Sequence, residues 1–369
     1  MIARLGLAVI AASLALPALA QSERADIVDL RPKDMQYPDN LGIEDLPIGP
    51  VPEEFYSQPP NHAADISGEI FGDKVDEAFG AFQRGYYLTA LDLAMPRAKN
   101  GDAYAQTLIA EIYSKGLGVP EDASAAANWY GMASKNGDPL ATFELAMLYQ
   151  DGRGVTKDRK YAAELFRRAA DAGNMMAKYN LGLLHVEGVY VEPSLTRAAE
   201  LIGEAANSGI PEARYDFGGM LSEGAGVPPN PAAAAEQYRL AAEDGMTAAQ
   251  VEYATILYLG KGLTQDRDAA ATWYARAADA GNPVAQNRYA KLLAAGEGVA
   301  QNVEDAAMYR ALARRQGLKD AQLDKLLAAA APEVVARAEE RARFWPSTPP
   351  TQVAEVDPAA SATGKPAAN

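Results

Sequence analysis

The chain contains no cysteine and only two histidines, His62 and His185, among its 369 residues. Absence of thiols excludes disulfides, thiolate metal sites, cysteine nucleophiles and a lipid-carrying N-terminal cysteine. Two isolated imidazoles leave almost nothing from which to build a histidine-based metal or acid–base site. Beyond the first twenty residues no stretch is apolar enough to span a bilayer. Bases are also scarce relative to acids, and the resulting net charge of −15 would repel nucleic acid and anionic lipid, so neither is expected as a partner.

At the N-terminus, Arg4 provides a positive segment, Leu5 to Leu16 an apolar one, and Ala18-Leu19-Ala20 a small-x-small cleavage site. Residues 1–20 therefore read as a signal peptide, with the mature chain starting at Gln21. The setting this implies is a bacterial periplasm, with no stable membrane insertion after cleavage. Residues 21–72 are acidic, rich in proline and without apolar periodicity, and 346–369 are dominated by Pro, Ala, Ser and Thr; both read as extended segments without a core.

Between them one pattern recurs every 36 residues. Glycines stand at 101, 137, 173, 209, 245, 281 and 317. With Ala105 as offset zero, the same offset holds Ala141, Ala177, Ala213, Ala249 and Ala285. Offset +11 is Gly from Gly116 to Gly296, and offsets +21 and +28 are Ala in all six copies. Apolar residues at +4, +7 and +8, as in Leu145, Leu148 and Tyr149, predict a helix A from about offset 0 to +10. A Gly-x-Gly-Val turn breaks it, as at Gly152 to Val155. Offset +17 holds Asp122, Asp158, Ser194, Asn230, Asp266 and Asn302, all good N-caps, so helix B starts there. It carries Trp129-Tyr130 or Trp273-Tyr274 at +24 and +25 and ends at the 36-spaced glycine. A single hairpin of this kind cannot bury its apolar surface and must stack on its neighbours.

The combined pattern resembles the Sel1-like repeat, a longer relative of the tetratricopeptide repeat, in six copies over residues 102–317. The fold expected from the resemblance is all-α, a right-handed α-solenoid of antiparallel helix pairs. A degenerate unit at 73–101 precedes the copies, and capping helices at 318–345 follow them. Some positions depart from the repeat. The third copy has Tyr190 at the second loop glycine and His185 in place of a helix-A tyrosine, which suggests a differently shaped turn. The sixth has Arg310 and Arg314 at apolar offsets, suggesting the polar character of an end unit.

No constellation for catalysis emerges. Ser114 and Ser222 have no histidine nearby, adjacent acids such as Glu339-Glu340 point to different helix faces, and the Gly-x-Gly turns never follow a strand. No enzyme activity, cofactor or metal is expected. The resemblance implies a scaffold binding a protein or peptide along helix A. Transfer of the tetratricopeptide groove positions puts that stripe at offsets +2, +6 and +9: Phe143 and Met147, then Tyr179, Leu183 and Val186, then Tyr215. Asp151, Glu187 and Glu223 at +10 would edge the groove and suit a basic partner, although the same stripe could instead pack between repeats. Two other readings are an envelope glycan or peptidoglycan-binding module using Trp and Tyr, and a cell-wall-active or β-lactamase-like enzyme. The family branch behind the enzyme reading carries paired cysteines that this chain lacks.

Overall fold

The computed structural model describes residues 76–347. The signal segment, His62 and nearly all of the leader and tail fall outside this range. Among the described residues there are sixteen helices and no strand, and the chain divides into two compact units at Pro229/Asn230. No helix of the described residues is long and apolar enough to cross a membrane.

The first unit contains α1 (Glu77–Gln83), α2 (Tyr87–Lys99), α3 (Ala103–Lys115), α4 (Ala123–Lys135), α5 (Pro139–Asp151), α6 (Arg159–Asp171), α7 (Met175–Glu187), α8 (Leu195–Asn207) and α9 (Pro211–Glu223). The second contains α10 (Pro231–Glu243), α11 (Thr247–Leu259), α12 (Arg267–Asp279), α13 (Pro283–Ala295), α14 (Val303–Arg315), α15 (Ala321–Ala328) and α16 (Pro332–Phe344). Within each unit consecutive helices pack on one another, giving the stacked helix pairs of an α-solenoid.

Local chemistry accounts for these boundaries. All six +17 residues cap a B helix, each side chain accepting from a backbone N–H two or three residues on, as Asp122 does from Ser124 and Ala125. Helix A begins two residues before offset zero, earlier than its apolar pattern suggests. Asp102, Asp138, Asn174 and Asn282 cap it by side chain, and prolines occupy the first helical position of α5, α9 and α13, where no N–H is lost. The repeated alanines at offsets 0, +21 and +28 are all exposed by 2% or less, so the helices close on one another at these small side chains.

One sequence expectation is corrected in the sixth copy. Arg314 is exposed, as an end unit would have it, but Arg310 is only 2% exposed. Its guanidinium donates to both oxygens of Asp324 at 2.7 and 2.9 Å, to Asn287 Oδ1 at 3.1 Å and to the Leu318 carbonyl at 2.9 Å. A charge can occupy an apolar offset because α15 delivers a carboxylate to it. His185 is half-buried, and its Nδ1–H donates to the Glu192 carbonyl at 2.8 Å, pinning the third turn.

Candidate partner-binding site

The nine residues singled out on helix A separate by burial. Phe143 and Val186, at offsets +2 and +9, are each 7% exposed and belong to the core; Phe143 packs against Phe166 with ring centroids 5.9 Å apart. These two are corrected from groove to packing positions. Tyr179 and Tyr215 are half-buried, and the Tyr179 hydroxyl donates to Asp216 at 2.8 Å. Met147 and Leu183, at +6, are half-buried against the cores, while Asp151, Glu187 and Glu223 are exposed.

The outward stripe of the first unit therefore runs through offsets −1, +3, +6 and +10. Its leading position is apolar in three successive copies: Tyr104 is 75% exposed, Leu140 46% and Met176 39%. Sequence reasoning missed these three, although they share one offset. Large apolar side chains recurring at an offset with no counterpart to pack on would have been the signal.

A second recurrence lies behind this stripe. Offsets +6 and +25 of one copy meet offset +3 of the next at the junction of copies one and two, so this junction is built from three side chains. In the first unit the junction of copies one and two is Glu111, Tyr130 and Glu144. Tyr130 is 1% exposed and donates its hydroxyl proton to Glu111 Oε1 at 2.7 Å, and Lys115 Nζ lies 2.5 Å from Glu111 Oε2. Glu144 is half-buried, and its carboxyl is pushed above the usual range, first by desolvation and then by the charge of Glu111; Lys115 and Arg153 oppose the shift without cancelling it. The next junction is neutral, with Met147, Phe166 and Asn180. The one after has Leu183 and Ile202 at the first two of these offsets and Asp216, which accepts from Tyr179, at the third. The result is an acid-bearing face with exposed apolar side chains along one edge.

Among the described residues no group of three or more His, Asp or Glu could hold a metal. Trp129 is buried at 2%. Trp273, in the second unit, is half-buried, with Tyr253 edge-on at 5.6 Å and the Arg276 guanidinium 5.4 Å from its ring centre. In the third copy, Tyr190 lines a cleft of about 410 Å³ together with Arg167, Asp171, Leu181 and His185.

Comparisons with known proteins agree with this architecture. The chain is similar in structure to c5321, described as a protective antigen of uropathogenic Escherichia coli displaying an SLR fold, at a TM-score of 0.60 and 24% identity over 69% of this chain. It spans 56% of that protein's length. It is also similar to a Sel1 repeat protein from Oxalobacter formigenes, at a TM-score of 0.58 and 29% identity, covering 66% of this chain and 100% of the other. No curated protein sequence matches it. The Sel1 repeat is matched six times, at residues 103–138, 139–174, 176–210, 211–246, 247–282 and 283–318, which together make up more than half of the chain. With a helix pair at each of these intervals, the chain belongs to the Sel1 repeat family.

Proposed function

We propose that this chain is a periplasmic scaffold or regulator that binds a basic partner protein or peptide on the A-helix face of its first unit. Sel1 repeats generally mediate protein–protein interaction and generally form a non-enzymatic scaffold. The periplasmic setting rests on the signal-like residues 1–20. The observation that carries the partner's chemistry is the Glu111–Glu144 pair. Two carboxylates share one half-buried junction, and desolvation, followed by the charge of Glu111, raises the Glu144 pKa. A lysine or arginine from a partner would relieve that repulsion, while Tyr104, Leu140 and Met176 would cover its apolar residues. Burial of Trp129 removes one of the two tryptophans on which a glycan-binding reading would rely.

In-cell crosslinking of the mature protein followed by mass spectrometry tests this reading. The expected result is crosslinks concentrated on the A helices α3, α5 and α7 and a mature N-terminus at Gln21. Leu140→Lys and Leu183→Glu should lose the crosslinked partner while keeping the helical signal and melting temperature. Leu145→Glu is the folding control: Leu145 is 6% exposed, and a charge there costs several kcal/mol of desolvation. If Leu183→Glu destabilises as much as Leu145→Glu, or if crosslinks fall on the B helices, the proposed face is wrong.

A further inference from the structure

At the junction of copies five and six, within the second unit, the same three offsets are Thr255, Tyr274 and Arg288. Arg288 is half-buried. Its Nη1 donates to the Tyr274 oxygen at 3.1 Å and to Thr255 Oγ1, and its Cζ lies 5.8 Å from the centre of the Tyr274 ring. Thr255 gives its own proton to the Val251 carbonyl at 2.6 Å, so at 2.8 Å it accepts from Tyr274. The two hydroxyls thus hold one corner of the guanidinium. Among the described residues nothing accepts from its Nε and Nη2 edge, and no carboxylate lies within 4.0 Å.

Other arginines withdrawn from solvent are treated differently. Arg97 holds Asp76 and Asp102, Arg239 holds Glu236 and Glu243, and Arg341 holds Glu304 and Asp305. Arg310 is the most informative comparison, because it occupies the tyrosine offset of the next junction and has its fork filled by both oxygens of Asp324. In a chain with 49 acids against 34 bases, an arginine that is half-desolvated, fixed in orientation and without a carboxylate stands out. Guanidinium and carboxylate match through two parallel N–H···O bonds, and a pre-oriented fork loses less entropy in forming them.

We infer that Arg288, fixed by Tyr274 and Thr255, is a binding site for a ligand carboxylate, supplied by an Asp or Glu side chain or by a peptide C-terminus. The site lies on the second unit and requires a charge opposite to that sought by the Glu111–Glu144 pair. It therefore stands whether or not the basic-partner reading holds.

The test is an NMR titration of the mature chain carrying ¹⁵N-arginine, with the Arg288 Nε–Hε signal assigned by its loss in Arg288→Lys. The probes are Ac-Ala-Glu-Ala-NH₂, Ac-Ala-Ala-Ala-OH and the neutral Ac-Ala-Gln-Ala-NH₂. A saturable shift with either carboxylate peptide and none with the neutral one is expected, and the responding peptide identifies side chain or terminus as the source. Arg288→Lys, which keeps the charge but loses the fork, should weaken binding about ten-fold, read from other shifted resonances, with an unchanged melting temperature. No saturable shift, an equal response to the glutamine peptide, undiminished binding by Arg288→Lys, or tighter binding of inorganic phosphate than of either carboxylate peptide would overturn the inference.

Discussion

Gly173 and Gly154 both hold positive φ, +91° and +69°, but for different reasons. A Cβ added at Gly173 would meet nothing within 4 Å, so only its backbone conformation demands glycine. At Gly154 the added atom would fall inside the backbone of Ala123 and Ser124, because the turn of copy two rests on the first turn of α4. Gly173→Val should cost about 1–2 kcal/mol and clearly more than Gly173→Asn, since asparagine tolerates left-handed backbone. Gly154→Ala should cost more than Gly173→Ala, because it adds a backbone clash to the same strain. Equal urea midpoints within either pair would contradict the assignment.

Glu144 gives a second prediction at this scale. Its folded pKa lies above the unfolded value, so in the interval between them the folded state binds more proton and stability rises as pH falls. Glu144→Gln removes the buried charge. It should therefore raise the melting temperature at pH 7 and lose that advantage on acidification through the raised pKa. It should also weaken capture of a basic partner. A melting temperature at pH 7 equal to or below that of the parent would contradict the desolvated-carboxylate account.

At the scale of the element, the A helices explain why the outward stripe was misplaced by one residue. They pack on neighbours over much of their surface, so α5 and α11 are apolar nearly all round, whereas the B helices α6 and α8 keep a distinct polar face. Periodicity therefore locates an A helix without orienting it. A shift of one residue turns a helix by about 100°, which is enough to put Phe143 and Val186 in the core and Leu140 outside it. The Arg310–Asp324 pair belongs to this scale because it ties α14 to α15. Asp324→Asn should destabilise by about 3–5 kcal/mol, because it leaves a buried guanidinium without its carboxylate. Asp324 titrates below the ordinary carboxylate range, held down by Arg310, so its contribution is present above the unfolded pKa. It should disappear as pH falls through the lower folded pKa. Unchanged thermal unfolding of Asp324→Asn at neutral pH would remove the pair from the account of stability.

At the scale of the whole molecule, stability in a repeat architecture is roughly a sum of units and their interfaces. Deleting residues 138–173 joins Gly137 to Asn174, and Asn174 already caps α7 through the Ala177 N–H. A cooperative helical fold with a lower urea midpoint is expected, whereas deleting only 138–155 strands α6 without α5 and should abolish cooperativity. The opposite pattern would mean that the 36-residue period is in the wrong register.

The helix pairs, the caps of the B helices and the alanine contacts were legible along the chain, because each is local and the six-fold recurrence of Asp122-like caps and Ala126-like contacts makes a local signal unambiguous. It also offered Asp151, Glu187 and Glu223 as acids near the A-helix face of the first unit, but not the Glu111–Glu144 pair. Only the tertiary structure decided that Phe143 is core and Leu140 surface, that Arg310 is buried against Asp324, and that Arg288 meets two hydroxyls and no carboxylate. Each of these outcomes depends on side chains brought in from another helix, often from the neighbouring copy, and a single copy read along the chain carries no record of what its neighbour presents.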